Sequence, residues 1–192
     1  MLCWVVIPVK APEACKTRLS PVLGDDERQA LVAAMLRQTL AAARAVVARE
    51  RVMLLGPSRH GLDEDIALLP DPGRGLNVAL TSARDAALRA GVDRLLLLSG
   101  DLPTIAPDDV AALLEVPADA VAAGPDRAGL GTNALSLPLP AAAEFRFRYG
   151  EGSLAKHKEE AERMGLSFLT IDRPGLGLDI DRPDEIGLWR RG

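Results

Sequence analysis

Arg94-Leu95-Leu96-Leu97-Leu98-Ser99-Gly100-Asp101-Leu102-Pro103 is the stretch that decides how the chain folds. Four consecutive leucines show no alternation of apolar and polar residues, so both faces of the strand they form are expected to be buried. A central strand of a parallel sheet covered by helices on each side has this pattern. Gly100 and Pro103 then shape a tight exit. Asp101 is left at the carboxyl end of the strand, where open α/β sheets meet their ligands.

The same reading extends in both directions. Leu2 to Pro8 is an apolar, β-branched run and a second buried strand. A loop from Val9 to Gly24 follows, in which Pro12 and Pro21 exclude regular structure. Asp25 and Asp26 cap a helix to about Val47, with Glu27 in its first turn and Leu31, Met35, Ala42 and Val46 on its core face. Strands at Arg51–Gly56 and Ile66–Leu69 precede the turn Asp71-Pro72-Gly73 and a helix from Leu76 to Ala90 that stops at Gly91. Beyond the leucine strand, Pro107 with Asp108 and Asp109 opens a helix. Ala118–Gly124 and Thr132–Leu137 read as strands, and Ser153 caps a charged helix to Met164. Ser167–Ile171 is a strand, Leu176–Ile180 a short extended piece, and Pro183, Asp184 and Glu185 begin a last helix. The alternation predicts an α/β protein: one domain over 1–192, a three-layer α/β/α sandwich with a mostly parallel sheet.

Composition narrows the function. At 48% hydrophobic the chain has a core to bury, while 3% aromatic content and a net charge of −4 speak against a nucleic-acid surface. Cys3 and Cys15 fit neither a disulfide framework nor a zinc spacing. No positively charged start leads into a long apolar stretch, and no run is long enough to span a bilayer, so a cytoplasmic protein without a membrane partner is expected.

Three acids carry the chemistry. Asp101, Asp179 and Asp181 each stand where a hydrophobic strand runs out into a loop. Together they offer an oxygen-only cradle suited to Mg²⁺ bearing phosphates. Asp179 and Asp181 alternate around Ile180, so both carboxylates face one side while Ile180 turns to the core. Like charges on one face repel unless a cation joins them; two solvated acids on a surface strand are the bland alternative. Lys10, Lys16 and Arg18 follow the first strand, where mononucleotide-binding folds wrap phosphates, although a solvated basic loop has the same composition. Gly75 permits close backbone approach and Asn77 offers a donor and an acceptor to a base or ribose, or simply caps a helix. Thr132 and Ser153 pair hydroxyls with flexible backbone and look like phosphate or carboxylate donors. His157, one turn on, faces the same ligand or is merely exposed, and His60 reads as a loop residue.

The ordered set resembles the guanylyltransferase family of coenzyme F-420 biosynthesis across nearly the whole chain. The resemblance rests on Ile7-Pro8-Val9-Lys10, Cys15-Lys16-Thr17-Arg18-Leu19, Gly75-Leu76-Asn77, Gly100-Asp101-Leu102-Pro103, Gly131-Thr132-Asn133-Ala134-Leu135, Tyr149-Gly150 with Ser153 and His157, and Leu178-Asp179-Ile180-Asp181. It implies a Rossmann-like fold of the nucleotide-diphospho-sugar transferase type. It implies GTP as substrate and GMP transfer to a phosphorylated three-carbon acid, phosphoenolpyruvate before 2-phospho-L-lactate or 3-phospho-D-glycerate. It also implies two Mg²⁺ on Asp101, Asp179 and Asp181 and acid-binding by Thr132, Gly150 and Ser153. Nucleotide contacts are expected from Lys10, Lys16, Arg18, Gly75, Asn77, Ser99 and Gly100, and His157 is expected beside the acid. Lys16 joins the three aspartates as a catalytic group, and the molecule is expected as a monomer or homodimer. Thr17, Cys15 and Arg182 depart from residues usual in the family without removing a group the chemistry needs. Rival readings are a nucleotide-sugar glycosyltransferase, since Asp179-Ile180-Asp181 is a D-x-D pattern, a molybdenum-cofactor transferase, and a non-catalytic nucleotide-binding module. The molybdenum-cofactor enzymes carry a glycine-rich first loop where this chain has lysines.

Overall fold

The leucine run forms β4 (Arg94–Leu98) near the middle of a seven-stranded sheet, fully buried along its length. The computed structural model describes residues 1–183, 185 and 186. The other strands are β1 (Cys3–Pro8), β2 (Val52–Leu55), β3 (Ala67–Leu69), β5 (Ala120–Pro125), β6 (Thr132–Pro138) and β7 (Ser167–Thr170). Their order is β3-β2-β1-β4-β6-β5-β7. The pairs β1–β2, β1–β4, β2–β3 and β5–β7 are parallel, while β4–β6 and β5–β6 are antiparallel. The sheet is therefore mixed and mostly parallel, as the alternation of elements predicts.

Alternating side chains build two cores. Val5, Ile7, Leu96 and Leu98 face one side, where they meet Leu31, Met35 and Leu36 of α1 (Asp25–Arg44) and Val110 and Leu113 of α3 (Pro107–Leu114). Val6, Leu95 and Leu97 face the other, against Ala79, Leu80 and Ala83 of α2 (Leu76–Arg89) and Ala161 of α4 (Ser153–Arg163). Burial on both faces explains why the strand shows no polar alternation. Chain order places the ligand crevice. From β1 the chain runs outward to β2 and β3, then returns to add β4 on the opposite side of β1. The loops leaving β1 and β4 therefore diverge above a gap, the usual seat for a ligand in such sheets.

Several local expectations are corrected. The Val9–Gly24 segment holds two 3-10 turns, Pro12–Ala14 and Thr17–Leu19; the first begins on Pro12, whose fixed φ starts a turn as readily as it breaks a helix, and the second follows Lys16. Gly24, not Asp25 or Asp26, precedes the first helical residue of α1, and its N–H donates to Glu27 Oε2 at 2.8 Å. Gly152 precedes α4 in a left-handed conformation, so Ser153 is the first helical residue and its hydroxyl turns inward instead of capping. The extended piece expected over Leu176–Ile180 starts later, since Pro174–Gly177 forms a single helical turn, α5, with proline in its first position, and the backbone becomes extended only from Leu178. The helix expected from Pro183 runs for the most part outside the described residues.

Candidate active site

Lys16 sits between the two 3-10 turns at φ 50 and ψ 35, in the left-handed region. This conformation costs a residue with a Cβ about 1–2 kcal/mol. The side chain lies inward, 8% exposed, and Nζ donates to Asp101 Oδ2 at 2.5 Å and Asp181 Oδ1 at 2.8 Å. Asp101 is held in turn by the Ser99 hydroxyl, which donates to Oδ1 at 2.6 Å. Arg18 stays largely in solvent, its Nη1 3.7 Å from Asp181 Oδ2.

The other two acids arrive on a segment that has no strand to aim it. Arg173 Nε donates to Asp109 Oδ1 at 3.2 Å, and Asp109 Oδ2 also accepts the Ala106 N–H at 2.9 Å. Asn133 Nδ2 donates to the Leu176 carbonyl at 2.9 Å. Leu176 and Ile180 are fully buried, so Asp179 and Asp181 flank an inward residue and share a side without belonging to a strand. One carboxylate oxygen from each of Asp101, Asp179 and Asp181 lies within 4.8 Å of the others. A Cβ on Gly175 would fall 1.9 Å from Asp109 Oδ2, so glycine is needed for this close approach. Gly175→Ala is expected to displace the turn and weaken Mn²⁺ binding several-fold by calorimetry. Unchanged affinity would show that the turn does not aim the acids.

Charges in the cluster are unevenly satisfied. Burial opposes the charge on Lys16, yet Asp101 and Asp181 outweigh it and hold the ammonium above its ordinary value. Burial likewise resists ionisation of Asp181, and Lys16 and Arg18 overcome it, keeping that carboxyl low. Among the described residues Asp179 has no such partner. Burial, then the charges of Asp101 and Asp181, push its carboxyl up to about 6.

A cleft of about 440 Å³ opens at this point, a size suited to a nucleotide. Of the expected residues, Lys10, Lys16, Gly75, Ser99, Gly100, Asp101 and Asp181 line it, over an apolar floor from Val32, Met35 and Leu36. Asp179 joins through the carboxylate cluster. Sequence reasoning missed two polar wall residues, His60 and Asp71. His60 Nε2 lies 2.7 Å from the Lys10 carbonyl, a long-range contact that no local pattern encodes. Asp71 is visible in the sequence only as part of a turn. Asn77 does not line the cleft; its side-chain amide is engaged by the backbone of Tyr149.

Thr132, Ser153 and His157 gather one strand away. Ser153 Oγ donates to Thr132 Oγ1 at 3.2 Å, and the Arg148 N–H donates to His157 Nε2 at 3.1 Å. That bond makes Nε2 the acceptor, so in the neutral ring Nδ1 carries the hydrogen toward Thr132 Oγ1, 3.0 Å away. Thr132 thus accepts twice and keeps its own hydroxyl proton to donate. His157 is fully buried rather than exposed, and both ring nitrogens are used within the protein. The expectation that it faces a ligand is corrected. This cluster abuts the acids through β4 and β6, where the Ser99 N–H donates to the Asn133 carbonyl at 2.8 Å.

Burial, then the charge of Arg148, pulls His157 down to about 4. The unfolded chain binds that proton at its ordinary 6.5, so the contribution is complete above pH 6.5 and is lost as pH falls toward 4. The shift corresponds to about 3 kcal/mol. Urea melts at pH 7 and pH 4 should show the parent losing more stability on acidification than His157→Gln; equal losses would refute the buried neutral ring.

A family model described as "Guanylyl transferase CofC like" matches residues 3–188. The chain belongs to that family. A guanylyl transferase relative, the phosphoenolpyruvate guanylyltransferase of Sphaerobacter thermophilus, is 40% identical over 187 residues, covering 94% of this chain and 89% of its own. The phosphoenolpyruvate guanylyltransferase of Rubrobacter xylanophilus is 40% identical over 192 residues, covering 97% and 92%. Among solved structures, one from Desulfovibrio desulfuricans G20 assigned as a nucleotide-diphospho-sugar transferase superposes with a TM-score of 0.77 at 21% identity, covering 98% of this chain and 86% of that one. That likeness speaks for the fold alone. Family membership makes the protein a nucleotidyltransferase, and no described helix is long and apolar enough to cross a membrane.

Proposed function

We propose that this enzyme transfers GMP from GTP to phosphoenolpyruvate, giving enolpyruvyl-diphospho-guanosine and diphosphate, within coenzyme F-420 biosynthesis. The observation that carries the reading is the convergence of Asp101, Asp179 and Asp181 with Lys16 beside a nucleotide-sized cleft. The relatives' names favour phosphoenolpyruvate over 2-phospho-L-lactate or 3-phosphoglycerate as acceptor. In this reading the enzyme is cytoplasmic, acts as a monomer or homodimer, and needs neither nucleic acid nor membrane.

The donor set fits a hard divalent cation. Three carboxylates supply oxygen only, and Lys16 offsets a single negative charge among them. Asp101, Asp179 and Asp181 would hold Mg²⁺, two ions in our reading. Bound there, the metal would neutralise phosphate charge and polarise the α-phosphorus. The chain's own residues account for the rest. The acceptor's phosphate, with a second pKa of about 6, is already dianionic at neutral pH and needs no general base. The buried neutral His157 is consistent with that. A phosphate oxygen attacks the α-phosphorus, a new P–O bond forms, and the bond to the β-phosphate oxygen breaks. Lys10, Lys16 and Arg18 stabilise charge on the departing diphosphate. Thr132, with its proton free to donate, Ser153 and the Gly150 backbone receive the small acid.

The test is to incubate the protein with GTP and Mg²⁺ and each of the three acids in turn, following diphosphate release and product mass. Release that depends on phosphoenolpyruvate, with the matching diphospho-guanosine, is expected. No release with any acid, or sugar transfer from a GDP-sugar instead, would overturn the proposal.

A further inference from the structure

Asn77 is the second residue of α2, directly after Gly75 and Leu76, which line the cleft. Its own side chain takes another course. Oδ1 accepts the Tyr149 N–H at 2.9 Å, and Nδ2 donates to the Tyr149 carbonyl at 3.3 Å, across 72 residues of sequence. One N–H and the oxygen of one side-chain amide therefore pair with both polar groups of one backbone residue. Such a paired contact fixes orientation as well as distance.

Tyr149 is the first residue of the turn that carries Gly150 and ends in Ser153. Gly150 has φ 127 and Gly152 φ 65, so this backbone follows a course that favours glycine. Three side-chain contacts brace its two ends: the Arg148 N–H on His157, Tyr149 on Asn77, and the Ser153 hydroxyl on Thr132. Two of those braces come from α4 and β6. Of the three, the Asn77 brace alone reaches back to the helix start that faces the nucleotide cleft.

We infer that Asn77 is a positioning residue that joins the two substrate sites: it sets the 149–153 turn against the first turn of α2, so that the small acid is received in register with the bound nucleotide. The inference rests on the acceptor role given above to Gly150 and Ser153. It departs from the expectation that Asn77 contacts the nucleotide, because Asn77 does not line the cleft and its amide is turned onto the Tyr149 backbone. Its loss should misplace the acceptor loop while leaving the cleft lining unchanged.

The experiment compares parent, Asn77→Ala and Asn77→Asp in steady-state kinetics and in hydrogen–deuterium exchange of residues 148–153. Asn77→Asp keeps an acceptor for the Tyr149 N–H and loses the donor to its carbonyl. For Asn77→Ala the acceptor KM should rise about ten-fold, the scale of one lost paired contact, while the GTP KM stays within about two-fold. Asn77→Asp should fall between. Exchange at 148–153 should quicken in Asn77→Ala without a matching drop in melting temperature. A rise in GTP KM with the acceptor KM unchanged would overturn the inference in favour of direct nucleotide contact. Equal rises in both KM values together with a lowered melting temperature would reduce Asn77 to a structural role. If the parent makes no product at all, the functional reading fails. Unchanged exchange in Asn77→Ala would still overturn the positioning role by itself.

Discussion

Asp179→Asn should lose about 10²–10³-fold in turnover, measured as diphosphate release, and yet melt at a higher temperature than the parent without metal. The two effects have one cause. Asp179 is held up to about 6 by burial and by the charges of Asp101 and Asp181, so at neutral pH its ionised form is a strain on the folded state. A carboxyl raised in this way binds a proton in the folded protein where the unfolded chain has already released it. Stability from this group therefore falls as pH rises from about 4 through about 6, the reverse of the His157 dependence. Comparing the Asp179→Asn variant with the parent at pH 5 and pH 7.5 cancels the histidine contribution, which both share. The gap in melting temperature should open at the higher pH and close when Mg²⁺ is added, because the cation offsets the repulsion in the parent alone. Parental turnover in the variant, or a gap that ignores pH and metal, would remove Asp179 from the reacting centre.

That strain also explains why the acids stand out in the sequence. Asp101 follows an unbroken leucine strand, and Asp179 and Asp181 flank one buried isoleucine, so the pattern itself shows charges placed where the core ends. The strands at Cys3–Pro8 and Leu95–Leu98 are legible for the same reason, since burial on both faces leaves those runs without a charged residue. Legibility stops where long-range bonds decide. Leu176 and Gly177 read as the start of an extended piece, but Pro174 starts a helical turn that includes them, and Asn133 and Asp109 hold it from outside. His157 lies on a charged helix and looks exposed, yet it points at Thr132 and the Arg148 backbone, which no local spacing announces. Asn77 reads from the sequence as a donor and an acceptor placed at a helix start, but the partner that takes both lies 72 residues away.

Lys16→Met separates two roles that the parent combines. Lys16 Nζ occupies Asp101 Oδ2 and Asp181 Oδ1, oxygens that a divalent cation would also need. Removing it leaves three acids without their closest counter-charge, so the metal-free variant should melt lower than the parent. Mn²⁺ should then bind at least about ten-fold more tightly, because a unit positive charge about 4 Å away costs an incoming cation several kcal/mol at an effective dielectric of about 20. Turnover should move the other way, down about 10²-fold or more, since the ammonium that leaves the carboxylates is the one available to the departing diphosphate. Methionine keeps a long apolar stem in place of the lysine one, so the change is chiefly one of charge. Tighter metal with slower turnover is the signature of a lysine that yields its place to the cation and then serves the leaving group. Weaker Mn²⁺ binding in the variant would mean instead that Lys16 holds the acids together for the metal, and the exchange of partners would have to be abandoned.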